Sequence, residues 1–325
     1  MKKRFRIAAA MLLAGLALAA ASGARAQSYP SRPVRIIIPN VPGGTTDILA
    51  RLMGDKLHAR FNQPVIVESK PGAGTLVGTD YVSKQPADGY TLLLTSTTIT
   101  TLPSLYSNAN YDPTRDFTSI AGVSRSALIV SLHKSVPARS ISELIAYLKA
   151  NPGTINAAVA GSGTFDHLAA EAFMRGTGTK ITIVPYKGEA AAQADLVAGR
   201  AQMVFTGYLS MRNHIADGTF KALAVTSLVR SPFLPDVPTL AETVIPGYEA
   251  EVWFGIFGPA GIPRDIVSAL NQGINDAQRD PDIVERYRTT GQAAFVVTPE
   301  QLADTVRRNY ETWGKLLRDL GLKVQ

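Results

Sequence analysis

The sequence predicts an α/β protein of about two domains, in which mixed, mostly parallel sheets are flanked by helices. Three observations predict it. β-rich runs alternate with amphipathic helical runs along most of the chain. A strand that runs into a glycine turn and then a helix occurs four times. The 325 residues are also more than one core usually organises.

The chain opens with Lys2, Lys3, Arg4 and Arg6, then an almost wholly apolar run from Ile7 to Ala21, then Ala24-Arg25-Ala26. This is the pattern of a secretory signal over residues 1–26, cut after Ala26. The apolar run is about 15 residues, shorter than the ~20 that span a bilayer. The expected product is a soluble exported chain of 299 residues, Gln27 to Gln325. Five of the 33 basic residues and none of the 26 acidic ones fall in the leader, which leaves 28 against 26 and a net charge of +2. The basic balance of the full chain therefore does not point to nucleic acid. The absence of cysteine removes disulfides, thiolate metal ligands and a cysteine nucleophile together.

The first strand, Val34–Pro39, leads through Val41, Pro42, Gly43 and Gly44 into a helix over Thr45–Phe61. Ile48, Leu49, Leu52, Met53, Leu57 and Phe61 recur there at the interval that gathers apolar groups on one face. Further strands are expected at Val65–Glu68, Tyr90–Thr95, Ala127–Leu132, Ile155–Ala160, Ile181–Val184, Ala201–Phe205, Lys221–Val225 and Val252–Phe257. Helices are expected at Ser140–Ala150, Thr164–Arg175 and Glu189–Ala198, the last two stopped by Gly176 and Gly199. From Arg264 onward there is only a short strand signal, Ala293–Val297, before Thr298-Pro299-Glu300-Gln301 opens the last helix with a capping box.

Glycine turns at helix starts bare backbone N–H groups at the positive end of the helix, a seat for a small anion such as a carboxylate. Besides Gly43-Gly44, such turns occur at Gly72-Ala73-Gly74-Thr75, at Gly161-Ser162-Gly163-Thr164 and at Pro185-Tyr186-Lys187-Gly188. In open α/β sheets the ligand crevice lies at the carboxyl ends of the strands, where these four turns would converge. Gly72 to Gly78 imitates a dinucleotide fingerprint, but it has one residue too many before the last glycine and no matching acidic residue after a second strand. No phosphate loop, Gly-x-Ser-x-Gly elbow or His-Glu-x-x-His helix is present, and no two histidines share a metal-ligand spacing. Neither a cofactor nor a metal is expected. His58, His133 and His214 read as solvated or locally bonded. His167, in the first turn after Gly161-Ser162-Gly163-Thr164, reads equally as a site residue or a helix cap.

The ordered motifs carry a resemblance. Tyr29-Pro30-Ser31-Arg32-Pro33-Val34-Arg35-Ile36 with Pro42-Gly43-Gly44-Thr45-Thr46-Asp47, Glu68-Ser69-Lys70-Pro71-Gly72-Ala73-Gly74, Asp88-Gly89-Tyr90, Val184-Pro185-Tyr186-Lys187-Gly188 and Leu234-Pro235-Asp236-Val237-Pro238-Thr239 resemble the Bug-type extracytoplasmic solute receptors. These are the substrate-binding proteins of tripartite tricarboxylate transporters. The resemblance covers essentially the whole mature chain. It implies a two-domain periplasmic binding protein, a type II Venus flytrap, closing on a small organic carboxylate that it delivers to membrane subunits of the transporter. It also implies no catalytic residues and a monomer. The chain would cross between domains near Ser124–Ser126 and Pro246–Tyr248, giving one domain of residues 27–125 plus 247–325 and a second of 126–246.

Carried over position by position, the resemblance lines the cleft with Val41, Gly43, Gly44, Thr45, Asp47, Gly72, Ala73, Gly74, Thr75, Ser96, Thr97 and Thr98 from the first domain. The second contributes Gly161, Ser162, Gly163, Thr164, Phe165, His167, Tyr186, Thr206 and Tyr208. Asp47 would cap its helix or orient an amino group or water. The chain departs from the family pattern at Thr75-Leu76, where another glycine and a small polar residue are common, and at Thr206-Gly207-Tyr208, where an acidic or amide residue is frequent. With Phe165 this makes the second wall more aromatic and less charged, which disfavours amino acids and leaves room for a longer or aromatic dicarboxylate. Phe165 and Tyr208 read equally as packing residues. A hydrolase using Ser162 or Ser96 is the rival reading, and it lacks a base-nucleophile-orienter set. A receptor presenting its closed form to a sensor partner is a third reading.

Overall fold

The computed structural model describes residues 29–186 and 189–323. The signal segment, residues 1–26, and Lys187 and Gly188 lie outside them. The first half of the chain forms β1 (Val34–Ile38), α1 (Thr45–Phe61), β2 (Val65–Ser69), α2 (Leu76–Ser83), β3 (Thr91–Ser96), α3 (Thr98–Leu105), β4 (Phe117–His133), α4 (Ile141–Ala150), β5 (Asn156–Val159) and α5 (Phe165–Thr177). The second half forms β6 (Thr182–Pro185), α6 (Glu189–Val197), β7 (Met203–Gly207), α7 (Tyr208–Ala216), β8 (Phe220–Val225), α8 (Leu240–Thr243), β9 (Glu251–Pro259), α9 (Arg264–Ala277), α10 (Pro281–Thr289), β10 (Ala293–Ala294) and α11 (Pro299–Leu320).

β1 pairs in parallel with both β2 and β3, so that Ile36 stands between Val67 and Leu92. β9 adds antiparallel to β3, and β4 adds antiparallel to β9. Beyond Ala127 the same β4 enters a second sheet, where Leu128 to Leu132 pair with β7 and Ile129 to His133 with β8. β5 pairs in parallel with both β6 and β7. The orders β2-β1-β3-β9-β4 and β6-β5-β7-β4-β8 therefore repeat one scheme, three parallel strands followed by an antiparallel crossover strand. That is the two-domain, type II Venus-flytrap arrangement.

Parallel strands covered on both faces read as continuous apolar runs, and Ile36, Ile37 and Ile38 show why. Ile36 and Ile38 face a core closed by Leu49 and Met53 of α1 and Leu270 and Ile274 of α9. Ile37 faces the opposite core, with Leu93, Trp253, Phe257 and Leu302 and Val306 of α11. In the second sheet Ala157 and Phe205 join Leu168 and Phe173 of α5, while Ala158 and Val204 join Leu196 of α6 and Met211 of α7. The last turns of α11 add Trp313, Leu316 and Leu317 to the core containing Phe173, so α11 packs on both sheets.

Several element bounds differ from expectation, among them the strand expected at Ala201–Phe205, which is Met203–Gly207, and that at Ala293–Val297, which is only Ala293–Ala294. Two differences have a plain physical reason. β4 is 17 residues long where Ala127–Leu132 is expected, because its first part is buried on both faces and shows no period of two. Gly176 lies inside α5, its missing side chain leaving room for Ile245. The helix ends instead at Gly178, whose φ of +64° suits glycine. The capping box at Thr298 forms as expected: Thr298 Oγ1 accepts from Gln301 N–H at 3.2 Å, and Gln301 Oε1 accepts from Thr298 N–H at 2.9 Å.

Candidate functional site

The carboxyl ends of the two sets of parallel strands face each other across the middle of β4. Ser96, ending β3, pairs with Phe254, which pairs with Ser124; Gly207, ending β7, pairs with Leu128. The helices that follow these strands thus begin at one cleft. None of α1, α2, α3, α5 and α7 is capped by the side chain of its N-cap residue, although at α3 the Thr98 N–H donates to Ser96 Oγ at 3.4 Å. Away from the cleft, α4, α8, α10 and α11 are capped by Ser140, Thr239, Asp280 and Thr298, with α9 the uncapped exception. Uncapped N–H groups need another acceptor, water or a ligand anion.

Val41 is 67% exposed at the lip of the first turn. Gly43 has φ +93°, a conformation that favours glycine, and nothing lies within 4 Å of where a Cβ on Gly43 or Gly44 would sit. Thr45 is exposed and opens α1. Asp47 turns inward: its Oδ2 accepts from Gly43 N–H at 3.0 Å, and its Oδ1 pairs with Arg51 Nε at 3.0 Å. The Arg51 guanidinium, then the Gly43 N–H, hold this carboxyl below the usual carboxylate range. Asp47 therefore braces the turn ahead of α1 through Gly43 and caps none of the helix's own N–H groups, which differs from the helix-capping role expected of it.

The second turn is conformationally unusual. Gly72, Ala73, Gly74 and Thr75 have φ of +141°, +45°, +62° and +92°, and positive φ at a β-branched threonine stores strain that the surrounding structure must hold. Thr75, Thr98 and Ser96 form a hydroxyl chain, Thr75 Oγ1 to Thr98 Oγ1 at 3.4 Å and Thr98 Oγ1 to Ser96 Oγ at 3.0 Å. Thr97 faces elsewhere. It is buried, and its Oγ1 accepts from Trp253 N–H at 3.0 Å, tying α3 to β9.

On the opposite side Gly163 has φ +79° and donates its N–H to His167 Nδ1 at 2.9 Å. Thr164 Oγ1 donates to Gly161 O at 2.6 Å, and Asp166 Oδ2 accepts from Ala160 N–H at 2.6 Å. Ser162 is left exposed. Phe165 meets the edge of Trp313 with ring centroids 5.1 Å apart. Because His167 Nδ1 is taken by the Gly163 N–H and Nε2 lies 3.6 Å from Glu171, the imidazole is engaged by groups other than Ser162.

A cavity of about 220 Å³ brings six of the expected residues together: Gly74, Thr98, Ser162, Gly163, Thr164 and Phe165. Thr101, Leu102, Leu105 and Tyr106 complete it. Sequence reasoning missed these four because the run Thr98–Leu105 is rich in threonine and holds Pro103, which argues against a helix. The three-residue spacing of Ile99, Leu102 and Leu105 was the available signal. Tyr186 and Tyr208 are placed outside this cavity. The Tyr186 hydroxyl donates to Asp195 Oδ2 at 2.7 Å, and Tyr208 stacks on Phe233 at 5.1 Å, lining a separate groove of about 250 Å³ with Arg125 and Glu251. Thr206 is buried near Asp166, Gln193 and Ser210.

Two α/β sheets sharing a long strand, with bare helix starts converging between them, define a two-domain solute-binding protein. The chain belongs to the tripartite tricarboxylate transporter receptor family: residues 49–322 match the TctC family model, described as "Tripartite tricarboxylate transporter family receptor". It is similar to the protein in the tcbD-tcbE intergenic region of Pseudomonas sp. strain P51, 38% identical over 320 residues that cover 96% of this chain and 95% of that one. Among solved structures it is similar to R. palustris Rpa4515 with adipate, at 32% identity and TM-score 0.73, covering 91% of this chain and all of that one. It is also similar to MatC from Rhodopseudomonas palustris with bound malate, at 28% identity and TM-score 0.68, covering 89% of this chain and all of that one. The family is one of solute receptors, and the chain is a binding protein, not an enzyme. Among the described residues no helix is long and apolar enough to cross a membrane.

Proposed function

We infer that the chain captures a small organic carboxylate between its two domains in the periplasm and delivers it, as a monomer, to membrane subunits of a tripartite tricarboxylate transporter. The observation that carries this reading is the set of uncapped helix starts at Gly44, Thr75, Thr97, Thr164 and Gly207, all at the cleft. Charge-assisted hydrogen bonds from backbone N–H groups are shorter and stronger than neutral ones, so a few of them hold a carboxylate without an arginine. The adipate and malate bound to the similar proteins support the ligand class.

The turns at Gly43–Thr45 and Gly72–Thr75, with Ser96 and Thr98, form one jaw, and Gly161–Phe165 the other. Residues 27–125 with 247–325, and 126–246, are the bodies that close. The ligand meets one jaw first and favours closure because only the closed state supplies donors from both. Thermal melts of the purified protein against mono-, di- and tricarboxylates, amino acids and neutral sugars test the reading. A ligand at about 100 times its Kd adds roughly 2.7 kcal/mol, a rise of several degrees in Tm. A rise confined to carboxylates is expected, and none with any carboxylate overturns the reading.

A further inference from the structure

Resting on the carboxylate reading above, we propose that the cleft selects carboxylates with an unsubstituted alkyl or aryl body over hydroxy acids and amino acids of the same length. The walls of the 220 Å³ cavity are Leu102, Leu105 and Tyr106 on α3 and Phe165 at the start of α5. They are held in place. Phe165 is fixed against Trp313, Leu105 seats so closely on Gly163 that a Cβ there would lie 3.0 Å from it, and the Tyr106 hydroxyl sits 2.7 Å from where a Cβ on Gly74 would be.

Three of the polar side chains in the lining are already engaged. Thr98 Oγ1 is shared with Ser96 and Thr75, Thr101 Oγ1 donates to Thr98 O at 3.2 Å, and Thr164 Oγ1 donates to Gly161 O. A ligand hydroxyl entering among them finds only Ser162 Oγ and the Tyr106 hydroxyl uncommitted, against a wall of leucine and phenylalanine, and so recovers fewer hydrogen bonds than it gives up to water. Among the described residues no charged side chain lines the cavity. Asp47 is paired with Arg51, and Asp166 lines a different pocket, with Ala192, Gln193 and Met211, where its Oδ2 accepts from Ala160 N–H. A ligand ammonium therefore finds no counter-charge, whereas a ligand carboxylate still has the backbone donors of the helix starts.

Titration calorimetry on the purified protein with succinate, glutarate and adipate, against malate, tartrate, aspartate and glutamate, tests this. The expected result is a Kd that falls about fourfold per added methylene, with malate roughly ten- to a hundredfold weaker than succinate. Phe165→Ser is expected to flatten the methylene series, costing adipate more affinity than succinate; if that variant does not fold, Tyr106→Ser reads the same wall. Malate, tartrate or glutamate binding as tightly as its unsubstituted counterpart overturns the selectivity and leaves the carboxylate receptor standing. Binding of none of these acids overturns both.

Discussion

The backbone N–H of Gly163 donates to Nδ1 of His167, four residues on, at 2.9 Å. Across the cleft the N–H of Gly43 donates to Oδ2 of Asp47, also four residues on, at 3.0 Å. In each case a left-handed glycine precedes a helix that starts two residues later, so the two jaws use one device with different acceptors. The bond makes Nδ1 of His167 the acceptor and leaves Nε2 toward Glu171. His167→Asn keeps an acceptor at similar reach and is expected to retain carboxylate binding. His167→Ala removes it, and is expected to lower stability by about 0.5–1.5 kcal/mol and weaken carboxylate binding by roughly tenfold, equivalent to ~1.4 kcal/mol. Melts and calorimetry on both variants check this, and equal behaviour of the two would assign His167 no part in shaping the turn.

Gly44 separates folding from binding. Its φ of −85° is open to any residue, and no atom stands within 4 Å of a Cβ placed there. Gly44→Val is therefore expected to fold with a stability loss within about 1 kcal/mol, the scale of helix-cap changes. Its branched side chain would occupy the open space beside the turn, and carboxylate binding is expected to weaken more than tenfold. Unchanged affinity in a well-folded variant would remove this turn from the site.

Asp47 supplies a dependence on acid. Its carboxyl is held below the ordinary 3.8, first by Arg51 and then by the Gly43 N–H. A lowered folded-state value contributes stability that is fully present above about pH 5 and is lost as pH falls through and below the ordinary value. Asp47→Asn is expected to melt lower than wild type at pH 7, with the gap closing toward pH 3. A gap of constant size across that range would show that packing, and not the ion pair, carries the effect.

The alternation of strands and helices was legible because β1 to β3 and β5 to β7 are short apolar runs with glycine or proline at their ends, and these directly place the loops of the site. The crossover strand was half legible: buried on both faces, the segment before Ala127 lacks the alternation that marks a strand. Within the site, backbone donors could be located from glycines alone, since a turn is a local property. Side-chain walls could not. Leu105 and Tyr106 reach the cavity only because α3 carries them across to Gly163 and Gly74, and Tyr208 leaves it because Phe233, far along the chain, offers a stacking partner. Both are decided by long-range packing.

Glu251 stands at the switch point of β4, paired in register with Ala127, its side chain 11% exposed and 3.4 Å from Arg125. Burial pushes its carboxyl up from the ordinary glutamate value, and Arg125 only partly offsets this. The sign for an acid raised on folding is the reverse of Asp47. The contribution to stability is fully present below the ordinary value of 4.5 and is lost as pH rises through the raised one. Glu251→Gln removes that loss while keeping shape and hydrogen-bonding capacity. Arg125, 37% exposed and with its guanidinium 5.9 Å from the centre of the Phe295 ring, keeps water and an aromatic face when its partner becomes neutral. Relative to wild type, the melting temperature of Glu251→Gln is therefore expected to rise as pH is taken from 4 to 8. Melts that run parallel over that interval would mean that Arg125 holds Glu251 ionised throughout, and that the crossover carries a fixed ion pair.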